Sequence, residues 1–313
     1  MNNTRQQALF GYLFALGATA IWSGNFIVAR GLSEIVPPVS LAFWRWVVAV
    51  IAFLPFALKP LIAERQQLLK NIRYLSVTAL LGVTVFNTLI YIAGHTTSAL
   101  NLSLIAITFP IFIIILSRIL YREMITTNKM LGIALVTGGV VLLITKGDLS
   151  VLRNISFAVG DLWMLSASVI FAIYSILIKQ KPKELSIWAF QLSTFALGLL
   201  FLFPFFVWES NTVPPGNYDT TTVLSILYVG IFASLTAFVL WDKAIATIGP
   251  SKSGIIYYTL PLFSGFLAYL FLNESIGMMH LFSALLIVTG ILIANRVSKR
   301  LHSSTAQGQN SNV

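Results

Sequence analysis

The sequence has no cysteine and little charge of either sign. Its 313 residues include 20 Lys and Arg, 10 Asp and Glu, and 3 His, so charged residues make up 10% of the chain. A typical soluble domain has roughly 25% charged residues. The absence of cysteine excludes disulfides, thiolate metal sites and thiol catalysis. The shortage of charge leaves too little polar surface for a water-soluble protein, and it predicts a protein of the lipid bilayer.

What the sequence has instead is long apolar segments, since 57% of its residues are hydrophobic. A helix needs about 20 apolar residues to span a bilayer. We predict ten such spans, the first of them retained rather than cleaved as a signal peptide, at 9–29, 39–58, 74–92, 99–120, 128–145, 158–178, 186–207, 223–242, 251–272 and 278–296. The polar tail 298–313 is predicted to be disordered.

The basic residues are unevenly divided between the two sides of the predicted membrane. When the N-terminus is placed inside, most Lys and Arg residues fall on inner loops, and only Arg30, Lys146 and Arg153 fall outside. An excess of basic residues marks cytoplasmic loops. Both termini are therefore predicted to be cytoplasmic, in a multi-pass protein of the cell (inner) membrane.

The two halves of the chain repeat each other. Segments 98–123 and 249–274 share five residues at a constant offset of 151, namely Thr108 and Thr259, Pro110 and Pro261, Phe112 and Phe263, Leu116 and Leu267, and Glu123 and Glu274. Gly11 and Pro55 recur as Gly160 and Pro204 at an offset of 149. A fixed offset indicates a duplicated unit. We predict five-helix repeats at 9–146 and 157–297.

An odd number of spans in each repeat makes the second copy enter the membrane from the opposite side. The predicted fold is therefore an all-α membrane protein of ten transmembrane helices, arranged as two inverted five-helix repeats. In this arrangement Glu123 ends on the cytoplasmic face and Glu274 on the outer face. Many secondary transporters are built this way, with the solute site near the bilayer midplane between the repeats.

These features resemble those of the drug/metabolite transporter superfamily, in particular its EamA-type branch. The shared pattern is a closing helix that carries Thr-x-Pro-[Ile/Leu]-Phe, with a Glu thirteen residues after the Pro, once in each repeat. The resemblance implies a metabolite carrier with a central cavity and alternating access, and relatives that export amino acids and similar metabolites. The family often has Gly before that Glu, where this sequence has Arg122 and Asn273.

Arg45 is the most unusual residue of the predicted spans, because it lies about seven residues inside the second span. A charge at the bilayer centre costs about 2.5–3.5 kcal/mol on insertion scales. Two interpretations stay open at this stage. Arg45 either binds a carboxylate or phosphate of the solute, or extends to the outer headgroups between Trp44 and Trp46. Thr194 takes its place in the second repeat.

Polar and aromatic residues of other spans are further candidates for solute contact. Trp22 and Asn25 share a face of the first span, and their counterparts Phe171 and Tyr174 are expected to approach them. The full set of predicted solute-binding residues is Trp22, Asn25, Arg45, Asn87, Tyr91, Asn101, Tyr174, Trp241, Tyr257 and Tyr258. The neighbours Tyr257 and Tyr258 diverge by about 100° on a helix, so only one of them is expected to face the solute.

Proline and glutamate residues mark two other predicted features of the repeats. Pro110 and Pro261 lie within spans, where a proline interrupts helical hydrogen bonding, and we predict that they act as hinges. Glu123 and Glu274 are predicted to organise helix–helix turns or to form gating salt bridges. All acidic residues are expected near span ends or in loops, which disfavours a buried carboxylate as a proton relay.

The sequence thus predicts a secondary transporter, an exporter of amino-acid-like or aromatic metabolites, that works by alternating access. The alternatives are a carrier of drugs or nucleotide conjugates with the same fold, and a membrane scaffold without transport. An enzyme is not expected, because no His-Glu-x-x-His motif and no paired intramembrane carboxylates occur. The expected partners are a small solute and the lipid bilayer, with no nucleic acid, no metal and no cofactor.

Overall fold

The computed structural model describes residues 2–32, 35–97, 99–272 and 277–296, and all regular structure among them is helical. Glu274 and the tail 298–313 lie outside these residues. The α-helices are α1 Asn2–Leu32, α2 Pro38–Ala63, α3 Arg65–Lys70, α4 Ile72–Ala79, α5 Phe86–Thr96, α6 Ala99–Ala106, α7 Thr108–Tyr121, α8 Thr127–Ile144, α9 Val159–Lys179, α10 Ile187–Thr212, α11 Thr220–Tyr228, α12 Ala237–Ile248, α13 Pro250–Tyr257, α14 Leu260–Leu272 and α15 Met278–Ala294.

Two π-helical segments connect some of these helices without a break. Leu80–Val85 joins α4 to α5, and Val229–Thr236 joins α11 to α12. A short 3-10 helix, Leu149–Asn154, lies between α8 and α9.

Seven helical segments are long and apolar enough to cross a membrane: Pro38–Ala63, Ile72–Thr96, Asn101–Tyr121, Thr127–Ile144, Val159–Lys179, Ile187–Thr212 and Thr220–Ile248. The apolar helix α15 is shorter, with 17 residues. Large apolar side chains are exposed on the outside of the bundle, as at Ile51, Phe56 and Leu285. A surface of this kind suits lipid rather than water, and the chain is a multi-pass membrane protein.

Several helices extend beyond the predicted spans. The first begins at Asn2 rather than at residue 9, the second continues to Ala63, and α12 continues to Ile248 rather than ending at residue 242. Charged residues such as Lys59 and Lys243 lie within these extensions. Polarity along the sequence thus marks where a helix meets a polar environment, whereas the helix itself ends where its hydrogen bonding ends.

The helices pack in a pattern that is repeated between the two halves. α2 packs on α10 and α8 packs on α15, while α1 packs on α12 much as α5 packs on α9. The crossing of α8 and α15 is close, since a Cβ atom at Gly132 would lie 2.5 Å from the carbonyl oxygen of Gly290. Glycine at such crossings lets helix backbones approach.

Two buried or half-buried carboxylates cap helices of the opposite half. Glu209, near the end of α10, accepts hydrogen bonds from the Val39 and Ser40 amides at the start of α2 (3.0 and 2.6 Å). Glu64, just after α2, accepts one from the Ser186 amide at the start of α10 (2.8 Å). A carboxylate at a helix N-terminus satisfies free N–H groups and complements the helix dipole. A carboxylate at the end of each of these two helices therefore caps the N-terminus of the other.

The helix irregularities recur at the offset of the sequence repeat. The π-helical segments begin at Leu80 and Val229, 149 residues apart. In each, a carbonyl oxygen of the segment accepts a hydrogen bond from a side chain five residues later: Gly82 from the Asn87 amide (3.1 Å), just after the segment, and Ile231 from the Thr236 hydroxyl (2.9 Å). π-Helical turns are rare and often occur at functional sites.

Helix interruptions precede the two intramembrane prolines. α6 ends at Ala106 and α7 starts at Thr108, while α13 ends at Tyr257 and α14 starts at Leu260. Pro110 and Pro261 follow these interruptions within a few residues, as expected for a residue that removes a helical hydrogen bond. Their action as hinges stays a prediction.

α7 ends in a left-handed residue, Arg122, with φ of +53°. Glycine is favoured in this conformation because it has no Cβ atom, which explains why a glycine suits this position. The next residue, Glu123, accepts hydrogen bonds from the Lys179 ammonium (3.2 Å) and from the Ser251 hydroxyl, and lies 4.0 Å from Lys129. It therefore connects the end of α7 to α8, α9 and α13.

Candidate functional site

A small cavity lies in the middle of the bundle, between helices of both halves. Its volume is about 20 Å³, which is room for about one water molecule. It is lined by Trp22, Asn25, Arg45, Phe86, Asn87, Ile90, Phe171 and Tyr257. Five of these residues were among the ten predicted from the sequence. Phe86, Ile90 and Phe171 were not, because apolar residues of a span carry no signal that separates lining from core, and Phe171 was named only as the counterpart of Trp22.

Arg45 is the charged residue of this cavity, and it is only 1% exposed. Its Nε donates to the Ser234 hydroxyl (2.7 Å), and its Nη1 donates to the Tyr91 hydroxyl (2.5 Å). The two ion pairs found among the described residues both involve Glu123, and neither involves Arg45. The alternative in which Arg45 extends to the headgroups is wrong, because hydroxyl groups of α5 and of the second π-helical segment hold the guanidinium inside the bundle.

Asn25 contributes an acceptor to the cavity. Its side-chain oxygen is buried and has no hydrogen-bond partner within the described chain. A buried carbonyl without a partner costs on the order of 1–3 kcal/mol. The cavity thus has a cation on α2 and an unused hydrogen-bond acceptor on α1.

Aromatic rings form the apolar walls of the cavity. The Trp22 and Phe171 ring centroids are 5.7 Å apart, so the expected approach of the two counterpart positions is observed. Phe171 also stacks on Phe86 (4.6 Å), and Tyr257 lies 6.1 Å from Trp22. The indole N–H of Trp22 already donates to the Ala233 carbonyl (2.9 Å), so Trp22 offers ring surface rather than a hydrogen bond.

Tyr91, Tyr174 and Trp241 lie behind the lining rather than on it. Tyr91 holds Arg45, as described above. The Trp241 indole donates to the Ser175 hydroxyl (3.2 Å), and the Tyr174 hydroxyl bonds to the Asp242 carboxyl, 3.1 Å from its nearer oxygen. These residues surround the cavity as a second layer.

Asp242 corrects the expectation that every acidic residue lies near a span end or in a loop. It is 2% exposed and lies within the apolar segment Thr220–Ile248. The adjacent pair Asp242 and Lys243 resembled a helix end in the sequence. In the structure the helix continues for six more residues, and the two side chains point to different neighbours, because adjacent helical residues diverge by about 100°.

Asn101 and Tyr258 lie away from the cavity. The Asn101 amide donates to both carboxylate oxygens of Asp161 (2.9 and 3.1 Å), which ties α6 to the first turn of α9. Tyr258 packs in a separate apolar cluster with Ile107 and Ile287. As predicted, Tyr257 and Tyr258 face different ways, and Tyr257 is the one that lines the cavity.

Lys181 lies just beyond α9, near the Asp242 end of the bundle. Partial burial lowers the pKa of its ammonium group, and the nearby carboxyl groups of Glu64 and Asp242 oppose this shift. Its Nζ donates to the Pro182 carbonyl (3.1 Å) and to that of Leu185.

Known proteins of the same kind were found by sequence and by structure. An "Uncharacterized transporter YyaM" of Bacillus subtilis is 26% identical over 286 residues, covering 91% of this chain and 93% of its own. An "Uncharacterized transporter" of Archaeoglobus fulgidus is 28% identical over 285 residues, covering 87% and 93%. A crystal structure that is 19% identical covers 94% of this chain and 99% of its own with a TM-score of 0.74, and this likeness concerns the fold alone.

The EamA-like transporter family matches the chain twice, at residues 9–145 and 158–296. The two matches together cover most of the chain and all residues of the cavity. The chain is therefore a membrane transporter that belongs to the EamA-like transporter family.

Proposed function

We propose that this protein is an alternating-access carrier of small carboxylate-bearing solutes, amino-acid-like in chemistry and exported from the cell. In this proposal the chain spans the inner membrane ten times, as inverted repeats at 9–146 and 157–297, with both termini in the cytoplasm. The cavity lies between the two repeats.

The helix irregularities support the proposed repeat architecture. The π-helical segments and the helix interruptions recur at the offsets of 149 and 151 residues found in the sequence. An offset that recurs in both side chains and backbone geometry is expected when two halves share one fold.

The single observation that carries the proposed solute class is the buried guanidinium of Arg45. It lines the cavity, it is 1% exposed, and it forms no ion pair within the described chain. A buried charge is costly unless it is paired, and a guanidinium binds a carboxylate with two parallel hydrogen bonds. A solute carboxylate supplies the missing charge.

The remaining lining suits the other parts of an amino-acid-like solute. The unpartnered Asn25 oxygen accepts a hydrogen bond from an ammonium group. The rings of Trp22, Phe86 and Phe171 enclose an apolar or aromatic body. A cationic drug is disfavoured, because the cavity has a cation and no carboxylate among its lining residues.

The present volume of about 20 Å³ is too small for such a solute. Binding therefore requires the helices to move apart, which is what alternating access provides. The interruptions before Pro110 and Pro261 are the positions where we expect the chain to bend.

The test is solute counterflow in proteoliposomes made with the purified protein. The panel pairs aromatic and aliphatic amino acids with the corresponding amines and amides, and adds an organic cation and a nucleotide conjugate. We expect flux only for solutes with a carboxylate, and loss of this flux in Arg45→Gln. Arg118→Gln serves as the matched control, because Arg118 is exposed on α7.

Each outcome decides one part of the proposal. No flux across the whole panel with folded protein would refute carrier activity for these solutes. Flux of the organic cation or nucleotide conjugate instead would replace the solute class. Equal carboxylate flux in Arg45→Gln and Arg118→Gln would remove Arg45 from the solute site.

A further inference from the structure

Asp242 is a buried carboxyl group that the proposed solute site does not use. It is 2% exposed, lies six residues before the end of α12, and does not line the cavity. Its hydrogen-bond partner is the Tyr174 hydroxyl, 3.1 Å from one carboxyl oxygen and 3.4 Å from the other. No cationic nitrogen of the described residues lies within 4.0 Å of it.

The groups that face Asp242 are few. Besides Tyr174 they are Lys181, beyond the end of α9, and Tyr74 of α4. The neighbouring Lys243 points elsewhere, with its Nζ 5.7 Å from the Phe14 ring centroid and 5.9 Å from that of Trp188.

Two other helices that pack on α12 carry titratable groups. Tyr12 lies on α1, and α13 has Lys252, which is exposed, and Tyr257, which lines the cavity. None of these side chains hydrogen-bonds to Asp242 within the described chain. Asp242 therefore has one phenol as its direct partner and one lysine at longer range.

An ionised carboxylate in such a place is costly. A buried charge without a close counter-ion is avoided by pairing or by neutralisation. For a carboxyl group that lacks a cation, neutralisation means binding a proton. Carboxyl groups within membrane spans serve as proton relays in pumps and transporters for this reason.

Tyr174 connects Asp242 to the cavity by direct packing. Its ring lies 6.2 Å from that of Phe171, which lines the cavity. The ring also packs on Gly82, so closely that a Cβ atom there would overlap it. The Gly82 carbonyl accepts the hydrogen bond of Asn87, another lining residue. A change in the position of Tyr174 therefore reaches the cavity along two routes.

We propose that Asp242 reversibly binds the proton that drives solute movement, with Tyr174 transmitting its protonation state to the cavity. The carboxylate takes up a proton from the aqueous phase on one side and returns it to the other side, and no other bond changes. This inference rests on the proposed function, because it couples the proton to that solute site.

The first test needs no solute. Infrared spectra of the purified protein at neutral pH should contain the carbonyl band of a protonated carboxylic acid, shifted in heavy water and absent in Asp242→Asn. The control Asp219→Asn makes the same chemical change at an exposed helix cap and should keep the band. If the wild type lacks the band from pH 5 to pH 9, or if Asp242→Asn keeps it, the inference is wrong.

The second test compares two kinds of transport in proteoliposomes. Counterflow exchanges solute without net proton movement, whereas accumulation against a gradient needs a driving force. We expect the wild type to accumulate solute when a pH gradient is imposed, and Asp242→Asn to keep counterflow but lose this dependence. Tyr174→Phe should retain the band and weaken the dependence.

The outcomes separate this inference from the function on which it rests. Wild-type counterflow that ignores the pH gradient would overturn proton coupling and leave the carrier function intact. Absence of counterflow in the wild type would overturn the carrier function for these solutes, and the infrared band would still decide whether Asp242 holds a proton.

Discussion

Arg45 and Asp242 are two buried ionisable residues, one basic and one acidic, and their surroundings in the same core differ. Arg45 is 1% exposed and Asp242 is 2% exposed, and a tyrosine hydroxyl bonds to each. Arg45 lines the cavity, whereas Asp242 is sealed behind Phe171 and Tyr174. A charge beside a cavity can be neutralised by a solute, but a sealed carboxyl can be neutralised only by something as small as a proton.

The two charges also depart from the repeat in the same way. The position equivalent to Arg45 in the second half is Thr194, and the position equivalent to Asp242 in the first half is Ala93. Each charge therefore occurs once on a scaffold that is otherwise paired. In the proposed function, the paired positions build the cavity, and the two unpaired residues give it its chemical selectivity.

The largest difference is expected between variants of the two tyrosines that bond these residues, Tyr91 for Arg45 and Tyr174 for Asp242. Tyr91→Phe removes a hydrogen bond to a buried charged group, which is worth about 1.5–3 kcal/mol, so we expect KM for a carboxylate solute to rise about tenfold or more. Tyr174→Phe should leave KM nearly unchanged and alter the pH profile instead. Counterflow measured against solute concentration and pH distinguishes the two.

If both variants raised KM to the same extent, the two tyrosines would belong to one site and the comparison would fail. Tyr121→Phe is a control, because its hydroxyl donates to the Ile176 carbonyl of α9 and to neither Arg45 nor Asp242.

Gly82 lies between the cavity and Tyr174, the partner of Asp242. An added methyl group there should destabilise the folded protein. A Cβ atom would overlap the Tyr174 ring. Because the ring is packed on all sides, moving it away costs free energy. Overpacking of this kind costs about 1–3 kcal/mol, so Gly82→Ala should lower the midpoint of thermal unfolding and weaken proton dependence.

The matched change is Gly94→Ala, where nothing lies within 4 Å of the added atom. That variant should be neutral, or stabilised by roughly 0.5–1 kcal/mol through helix propensity. Equal unfolding midpoints for the two alanine variants would mean that Tyr174 moves freely and does not connect Asp242 to the cavity.

The smallest expected effect concerns Ser234, which serves only the Arg45 side. Its hydroxyl accepts from Arg45 and donates to the Val229 carbonyl (2.9 Å). Ser234→Ala should reduce carboxylate affinity by about 1.5 kcal/mol, the lower end of the range for a hydrogen bond to a charged group. Thr236→Val loses only a bond to the backbone and should leave affinity unchanged in the same binding assay.

Seven of the ten predicted spans, the duplication and five of the residues that line the candidate cavity could be predicted from the sequence, whereas the count of ten spans and the inversion of the repeats stay predictions. Apolar length and a constant offset are one-dimensional signals, and Arg45 stood out because charge within a span is costly. Asp242 was missed because its charged neighbour Lys243 imitates a helix end. Ser234 was missed because a serine in an apolar run gives no hint that an arginine 189 residues away donates to it.

The candidates that did not reach the cavity fail for a related reason. Asn101 and Trp241 are polar or aromatic residues of apolar segments, as Asn25 and Trp22 are. Their hydrogen bonds to Asp161 and Ser175 depend on which helices meet, and residue type does not encode that. Asn25 differs only in what surrounds it.

Each π-helical segment determines which way the side chains of the following helix face. An α-helix turns by about 100° per residue, and a π turn accommodates one residue more than an α turn. If one residue were deleted from Leu80–Val85, Asn87 would rotate away from the cavity by about that angle. A deletion of one residue in Val229–Thr236 would rotate Trp241 and Asp242 about the helix axis by a similar angle. The number of residues in each π-helical segment, more than the identity of its side chains, therefore keeps these faces of α5 and α12 directed into the bundle.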